Sequence, residues 1–365
     1  MPTDRGWGVF WLREDPGASN LARVYYAHVG FDGGIEIGPL LLQVNIPRIP
    51  WRGRYYNVAW NGDHYGLIVA VRATLYYYDL SFEGALSGGR AVGPPLFVSS
   101  IYDQEADSDL AAFPGGFAGV IEGDCMGHSC SYAFRLGPHG EPLGSVYNLV
   151  DFDYTHQFWP RVAYDGIGFA VISVKDSVST GGVVTKYIPG TWGSPSARAK
   201  VVPSKDYLWD EYPALAWNGE RYGAVWTEVN QRPPSGQPPA AWQIHFAAFR
   251  RTISASITLA DRVLDARANK SPFRWTTQVH PVAGDWAVHY SAWQPQGEPL
   301  AVFEYVDGAG STQARLIPFT LSADALGSSL QRGGPQPGRI GIARGDSRDG
   351  VSTVTFFTLD PPRCE

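Results

Sequence analysis

Short apolar runs rich in aromatic and β-branched residues alternate along the chain with clusters of Gly, Pro, Asn and Asp. Runs of this length, bounded by turn residues, predict strands. The clearest case is Tyr212-Pro213-Ala214-Leu215-Ala216-Trp217, then Asn218-Gly219-Glu220-Arg221, then Tyr222-Gly223-Ala224-Val225-Trp226-Thr227. It predicts a β-hairpin whose Asn-Gly pair takes the positive φ angles that a tight turn demands. The same phrase returns at Asn57–Gly62 before Tyr65–Val69 and at Arg161–Gly166 before Gly168–Val171, with a weaker copy at Leu110–Gly115.

Taken in order, the runs fall into units. Trp7–Leu12, Ala22–Val29 and Ile37–Leu42 make three strands, and Trp7–Leu12 has the look of a second strand with no first strand before it. The next unit has the Trp60 strand, Gly66–Val71, Leu75–Leu80 and Pro95–Ser99; the third has the Phe113 strand, Phe117–Glu122, Ser131–Leu136 and Val146–Val150. A fourth runs from Arg161 through Gly168–Val174 and Val183–Ile188 to Lys200–Val202. The fifth is the hairpin above, continued by Ile244–Phe249 and Arg262–Leu264 after a Pro-rich insertion at 232–239. In the sixth, Val288–Trp293, Pro299–Glu304 and Arg315–Leu321 supply three strands and Ile340–Ala343 an outer one, which leaves Val351–Phe357 over.

About four strands every 50 residues or so is the mark of a β-propeller. The expected fold is an all-β, six-bladed propeller of four-stranded antiparallel blades, a single domain over residues 1–365. The leftover C-terminal strand would join the three N-terminal ones and close the ring against an open edge. Pairing of Gly338–Ala343 with Val351–Phe357 would instead make a seventh blade. The phrase Pro213-Ala214-Leu215-Ala216-Trp217, a turn, then Tyr222–Glu228 resembles the six-bladed YWTD-like class of extracellular propellers. The Tyr-Trp-Thr-Asp tetrad itself is missing, so the resemblance implies topology and carries no function.

Composition agrees with many short strands: aromatic residues are 13% of the chain and charged residues 18%, with 42 Gly and 28 Pro. A net charge of −6 without a Lys/Arg cluster argues against a nucleic-acid partner. No apolar run is long enough for a membrane helix. Cys125 and Cys130 flank a predicted turn and are placed to form a disulfide, which implies a secreted or periplasmic protein. The start, Met1–Gly6, has no signal-peptide regions, so that location requires a leader trimmed from this sequence. Cys364 is left over.

In a four-stranded blade the loops entering each first strand surround the mouth of the channel. Here those loops alternate aromatic with ionisable residues: Trp51, Arg52 and Arg54; Asp103, Glu105, Asp107 and Asp109; Tyr154 and His156; Tyr207, Trp209, Asp210 and Glu211; Arg274 and Trp275. Flat rings beside carboxylates and guanidinium groups suit recognition of a sugar or a peptide. The expected ligand site is Trp51, Arg54, Asp107, Tyr154, His156, Tyr207, Trp209, Asp210, Glu211, Arg274 and Trp275. Trp159 and Tyr212, each just before a Pro, sit where packing wedges between blades would sit.

Three sharper chemistries compete with this. Arg52, Arg54, Arg161 and Arg274 can converge on an anion as in sialidases, but the Asp-box repeats of that class are missing. Asp103, Glu105, Asp107 and Asp109 can offer oxygens to Ca²⁺, though no Ca²⁺-loop spacing is present. The eight His share no position in the repeat, unlike the four-histidine iron centre of seven-bladed carotenoid-cleaving propellers. No nucleophile elbow, His-Glu-x-x-His or phosphate loop occurs. The first expectation is therefore an exported, non-catalytic recognition propeller for a carbohydrate or protein ligand, with no cofactor. One alternative is a glycan hydrolase or lyase that uses mouth carboxylates or His156. The other is a scaffold subunit of a larger assembly.

Overall fold

The computed structural model describes residues 3–14, 21–47, 56–71, 74–92, 107–125, 128–149, 156–176, 182–202, 209–229, 242–265, 277–282, 284–293, 299–320, 327–331, 340–348 and 351–359. All regular structure in them is β. Strands β1 (Gly6–Glu14), β2 (Leu21–Gly30) and β3 (Ile35–Pro47) form a three-stranded sheet. Two four-stranded sheets come next: β4 (Tyr56–Trp60), β5 (Tyr65–Val71), β6 (Thr74–Leu80) and β7 (Leu86–Val92), then β8 (Ser108–Phe113), β9 (Gly116–Cys125), β10 (His128–Leu136) and β11 (Tyr147–Asn148). The fourth sheet is β12 (His156–Tyr164), β13 (Gly168–Asp176), β14 (Gly182–Pro189) and β15 (Ala199–Lys200). The fifth is β16 (Trp209–Trp217), β17 (Tyr222–Val229), β18 (Trp242–Arg251) and β19 (Ser256–Asp265). The sixth is β20 (Gln278–Val282), β21 (Asp285–Trp293), β22 (Pro299–Val306) and β23 (Thr312–Thr320).

This is the propeller of four-stranded antiparallel blades that the repeat predicts, and its six units correspond to these six sheets. The sixth is offset by one strand, because its first strand, β20, reads Gln-Val-His-Pro-Val and its His280 and Pro281 hide the apolar pattern. The fourth strand of the second sheet is β7; the segment 95–99 expected in that role lies outside the described residues. The displaced C-terminal strands β24 (Gly327–Gln331), β25 (Ile340–Arg348) and β26 (Val351–Leu359) form a further three-stranded sheet. Here β26 pairs with β25, so the hairpin alternative is the pairing seen, and no pairing of β26 with the N-terminal sheet occurs among the described residues. A hairpin between neighbours in sequence closes a far shorter loop than a strap across the whole chain. Contacts divide the chain into two compact units, 1–169 with 190–192, and 170–189 with 193–365.

The hairpin turn is built differently from the expected two-residue form. Gly62, Gly166 and Gly219 have φ of 104°, 94° and 103°, while the Asn or Asp before each keeps an ordinary φ. Its side chain instead caps the turn: Asn61 Oδ1 accepts from the Asp63 and His64 N–H groups, Asp165 Oδ1 from Ile167 and Gly168, and Asn218 Oδ1 from Glu220 and Arg221. These are Asx turns, closing loops of four residues at 61–64 and 218–221 and of three at 165–167.

After the turn, the strand opens on an aromatic followed by a small residue: Tyr65-Gly66, Phe117-Ala118, Phe169-Ala170, Tyr222-Gly223 and Trp286-Ala287, with Trp7-Gly8 at the start of β1. All six rings are fully or almost fully buried. The ring of one sheet lies on the glycine of the sheet before it. A Cβ on Gly8 would fall 2.3 Å from the Tyr65 hydroxyl, one on Gly66 2.7 Å from the Phe117 ring, and one on Gly223 2.4 Å from Trp286 Nε1. No backbone or ring can yield that much without moving a strand. Gly223→Ala should therefore destabilise the protein by about 1–3 kcal/mol through overpacking. Urea unfolding followed by Trp fluorescence would measure it, and an unchanged midpoint would show that the close approach carries no energy.

Candidate functional site

The best-defined polar constellation lies in the first unit, where chain from the segments 93–106 and 150–155 enters the first strands β8 and β12. Asp107, one residue before β8, is buried, and its carbonyl accepts the Glu122 N–H at 2.8 Å, extending the β8–β9 pairing. Arg161 on β12 is 2% exposed. Its Nη2 donates to Asp107 Oδ2 at 2.7 Å and its Nη1 to the Pro160 carbonyl at 2.7 Å. One residue on, the Val162 N–H donates to Asp109 Oδ2 at 3.0 Å. Asn57 on β4 reaches the other side of β8, donating from Nδ2 to the Ser108 carbonyl at 2.6 Å. The first strands β4, β8 and β12 are thus stapled in sequence by polar side chains.

Glu122 extends the network along β9. The Ser129 hydroxyl donates to its Oε1 at 2.5 Å, and the Trp159 N–H to its Oε2 at 3.3 Å. Burial alone would lower the pKa of the Arg161 guanidinium. Asp107, Asp109 and Glu122 more than offset this and raise it, so the side chain stays cationic. Trp159 is held at φ 53°, and Tyr212, its counterpart at the entrance to β16, also at φ 53°. Both rings are buried, as expected for wedges, and each precedes a Pro. Left-handed aromatic residues cost about 1–3 kcal/mol each, and the surrounding contacts hold them there. At Tyr212 the strand pairing slips between Glu211 and Ala214, and the Tyr212 carbonyl accepts from the Thr277 hydroxyl.

Of the eleven residues expected at the ligand site, Asp107 is the one whose side chain is placed, and it lies beneath the surface in an ion pair. His156 begins β12, and Trp209, Asp210 and Glu211 begin β16, opposite Val229, Glu228 and Thr227; their side chains lie outside the described set. Trp51, Arg54, Tyr154, Tyr207, Arg274 and Trp275 lie outside the described residues altogether. Arg161 cannot join an anion-binding cluster while Asp107 occupies it. Likewise Asp107 and Asp109, two of the four acids considered for Ca²⁺, already serve Arg161 and the Val162 N–H; Asp103 and Glu105 are not among the described residues.

Sequence reasoning missed Glu122, which sits in a strand that reads as ordinary repeat, and Ser129, which reads as part of the turn between Cys125 and Cys130. It also missed two clusters of the second unit. Buried His245 has Nδ1 2.8 Å from Glu228 Oε2 and Nε2 against Asp261 Oδ1, with its ring stacked on Trp226. Glu304, also buried, accepts from the Tyr290 hydroxyl at 2.5 Å and from Arg315 Nε at 2.5 Å. An acid in the middle of an otherwise apolar strand was the available signal. In these clusters the carboxylates are engaged by internal partners, an arrangement that fixes strands.

Removing one member of a buried pair exposes the cost of the other. Arg161→Met should destabilise the protein by about 3–5 kcal/mol, and Arg161→Met combined with Asp107→Leu by less than the sum of the two single changes. Denaturant unfolding of the double-mutant cycle measures this; strict additivity would mean that the pair is not coupled.

No protein-family model and no curated protein sequence matches the chain. Solved structures share the fold. A mutant of the Synechocystis apocarotenoid oxygenase superposes with a TM-score of 0.51 at 10% identity, covering 97% of this chain and 91% of that one. The family-43 endo-arabinanase from Bacillus licheniformis gives 0.39 at 12% identity, covering 85% and 96%, and an exo-1,5-α-L-arabinanase from a bovine ruminal metagenomic library gives 0.40 at 12%, covering 83% and 96%. At these identities the likeness concerns the fold alone, and the apocarotenoid oxygenase superposition carries it.

Proposed function

We propose that the protein is an exported recognition propeller that binds a carbohydrate on the face where the interblade loops enter the first strands. The observation that supports this reading is the buried Asp107–Arg161–Glu122 network, which holds the roots of two of those loops in place. A rigid root lowers the ordering cost of binding for the aromatic and ionisable residues that the sequence puts in these loops. Trp51, Tyr154, Tyr207, Trp209 and Trp275 supply stacking surface, and Arg54, His156, Asp210, Glu211 and Arg274 supply hydrogen bonds to hydroxyl groups. The engagement of Asp107 by Arg161 removes it from the acids available for a paired-carboxylate mechanism.

Glycan-array binding by the wild type, Trp209→Ala and Trp275→Ala tests the reading. Each truncation should weaken binding roughly 30-fold, the effect of losing about 2 kcal/mol at an aromatic anchor. Absence of binding to any glycan would remove the carbohydrate reading, and turnover of a bound glycan would replace it with a hydrolase or lyase.

The exported location carries the Cys125–Cys130 bridge with it. The β9–β10 register sets Cys125 opposite His128 and Cys130 opposite Gly123, on neighbouring strands of one hairpin. Intact mass under non-reducing conditions should be two protons below that of the reduced chain. Full alkylation of both thiols without reductant would rule the bridge out.

A further inference from the structure

We propose that His64, Asp79 and His139 form a binding site for a divalent transition metal of the zinc class. The three residues meet at the opposite ends of the sheets from the loop-bearing face. His64 closes the Asx turn between β4 and β5, Asp79 stands near the end of β6, and His139 sits in the turn between β10 and β11 of the next sheet. One donor atom from each lies within 4.8 Å of the other two.

The distances suit a small ion. His64 Nε2 is 3.2 Å from Asp79 Oδ1, and His139 Nδ1 is 3.4 Å from Asp79 Oδ2. Donors around a tetrahedral Zn²⁺ at about 2.0–2.1 Å stand about 3.3 Å from one another, close to the spacing of His64 from Asp79 Oδ1 and of His139 from Asp79 Oδ2. Two imidazole nitrogens and one carboxylate oxygen are the donor set that zinc and its first-row neighbours take, with a position left open. Exposure is graded to match: the His64 side chain is 9% exposed, Asp79 19% and His139 68%, which gives a rigid floor and an open approach.

Outer partners are also in place. Asp63 Oδ2 lies 3.2 Å from His64 Nδ1, the contact that turns Nε2 toward a metal, and the Tyr77 hydroxyl donates to Asp79 Oδ1 at 2.7 Å. The competing contact is the Pro138 carbonyl, 2.6 Å from His64 Nε2. Without an ion it accepts a hydrogen bond from that nitrogen, as the Gly308 carbonyl accepts one from Arg221 Nη1 at the matching turn of the second unit. Metal binding displaces this hydrogen, and the Pro138 oxygen keeps the Tyr77 hydroxyl 3.0 Å away, whose single proton Asp79 Oδ1 and the carbonyl then share.

The test is a titration of the full chain, free of any histidine tag, with Co²⁺ as the probe, followed by visible absorption and then by displacement with Zn²⁺. One equivalent should bind saturably. His139→Ala and Asp79→Asn should each weaken binding by at least about tenfold with unchanged circular dichroism. His139 is exposed, so its truncation spares the fold. Failure to saturate at submillimolar Co²⁺, or affinity left unchanged by either variant, overturns the three-ligand site.

Discussion

The contact on which the rest depends is an aromatic ring lying on a glycine of the preceding sheet. Tyr65 on Gly8, Phe117 on Gly66 and Trp286 on Gly223 bring flat sheets to a separation that any side chain on the glycine would prevent. A β-sheet with both faces apolar is stable only when each face is covered, and this contact covers one face with the next unit. The repeat therefore consists less of strands than of a pairing rule: a turn capped by Asn or Asp, then a ring, then a small residue that receives the following ring.

Packing this close leaves little water between sheets, which explains the form taken by the buried polar groups. Buried polar side chains are met there by partners: Arg161 by Asp107, His245 by Glu228 and Asp261, Glu304 by Tyr290 and Arg315, and Arg251 by the Thr252 and Ala255 carbonyls. An unpaired charge in such a place would cost several kcal/mol. In the first unit the same network roots the loops of one face, while the turns at the other end gather two histidines and an aspartate. The two ends of these sheets thus differ in chemistry although the strands between them are alike.

The turn phrases, the strand order and the propeller class were legible because hydrophobic alternation and turn residues are local signals that recur with the repeat. Trp159 and Tyr212 were legible as wedges for the same reason, since both stand before a Pro at one place in the unit. Strand β20 was not, because His280 and Pro281 interrupt its pattern, and the partner of β26 was not, because an apolar strand pairs equally well with any free edge. At the site, the alternation of aromatic and ionisable residues identified the loops, and it placed Asp107 among them as though at the surface.

By itself, then, the sequence determined most of the strand segments, the capped turns between them, and that the sheets are stacked repeats. These follow from periodicity and local conformational preference, which need no distant partner. Only the tertiary structure decided what each charged residue does. Asp107 and Arg161 are 54 positions apart and become one ion pair, and His64 and His139 stand side by side although 75 residues separate them, as their numbering shows. The reason is that the energy of a charge or a ligand set depends on distance and burial through space, and neither is written in the spacing along the chain.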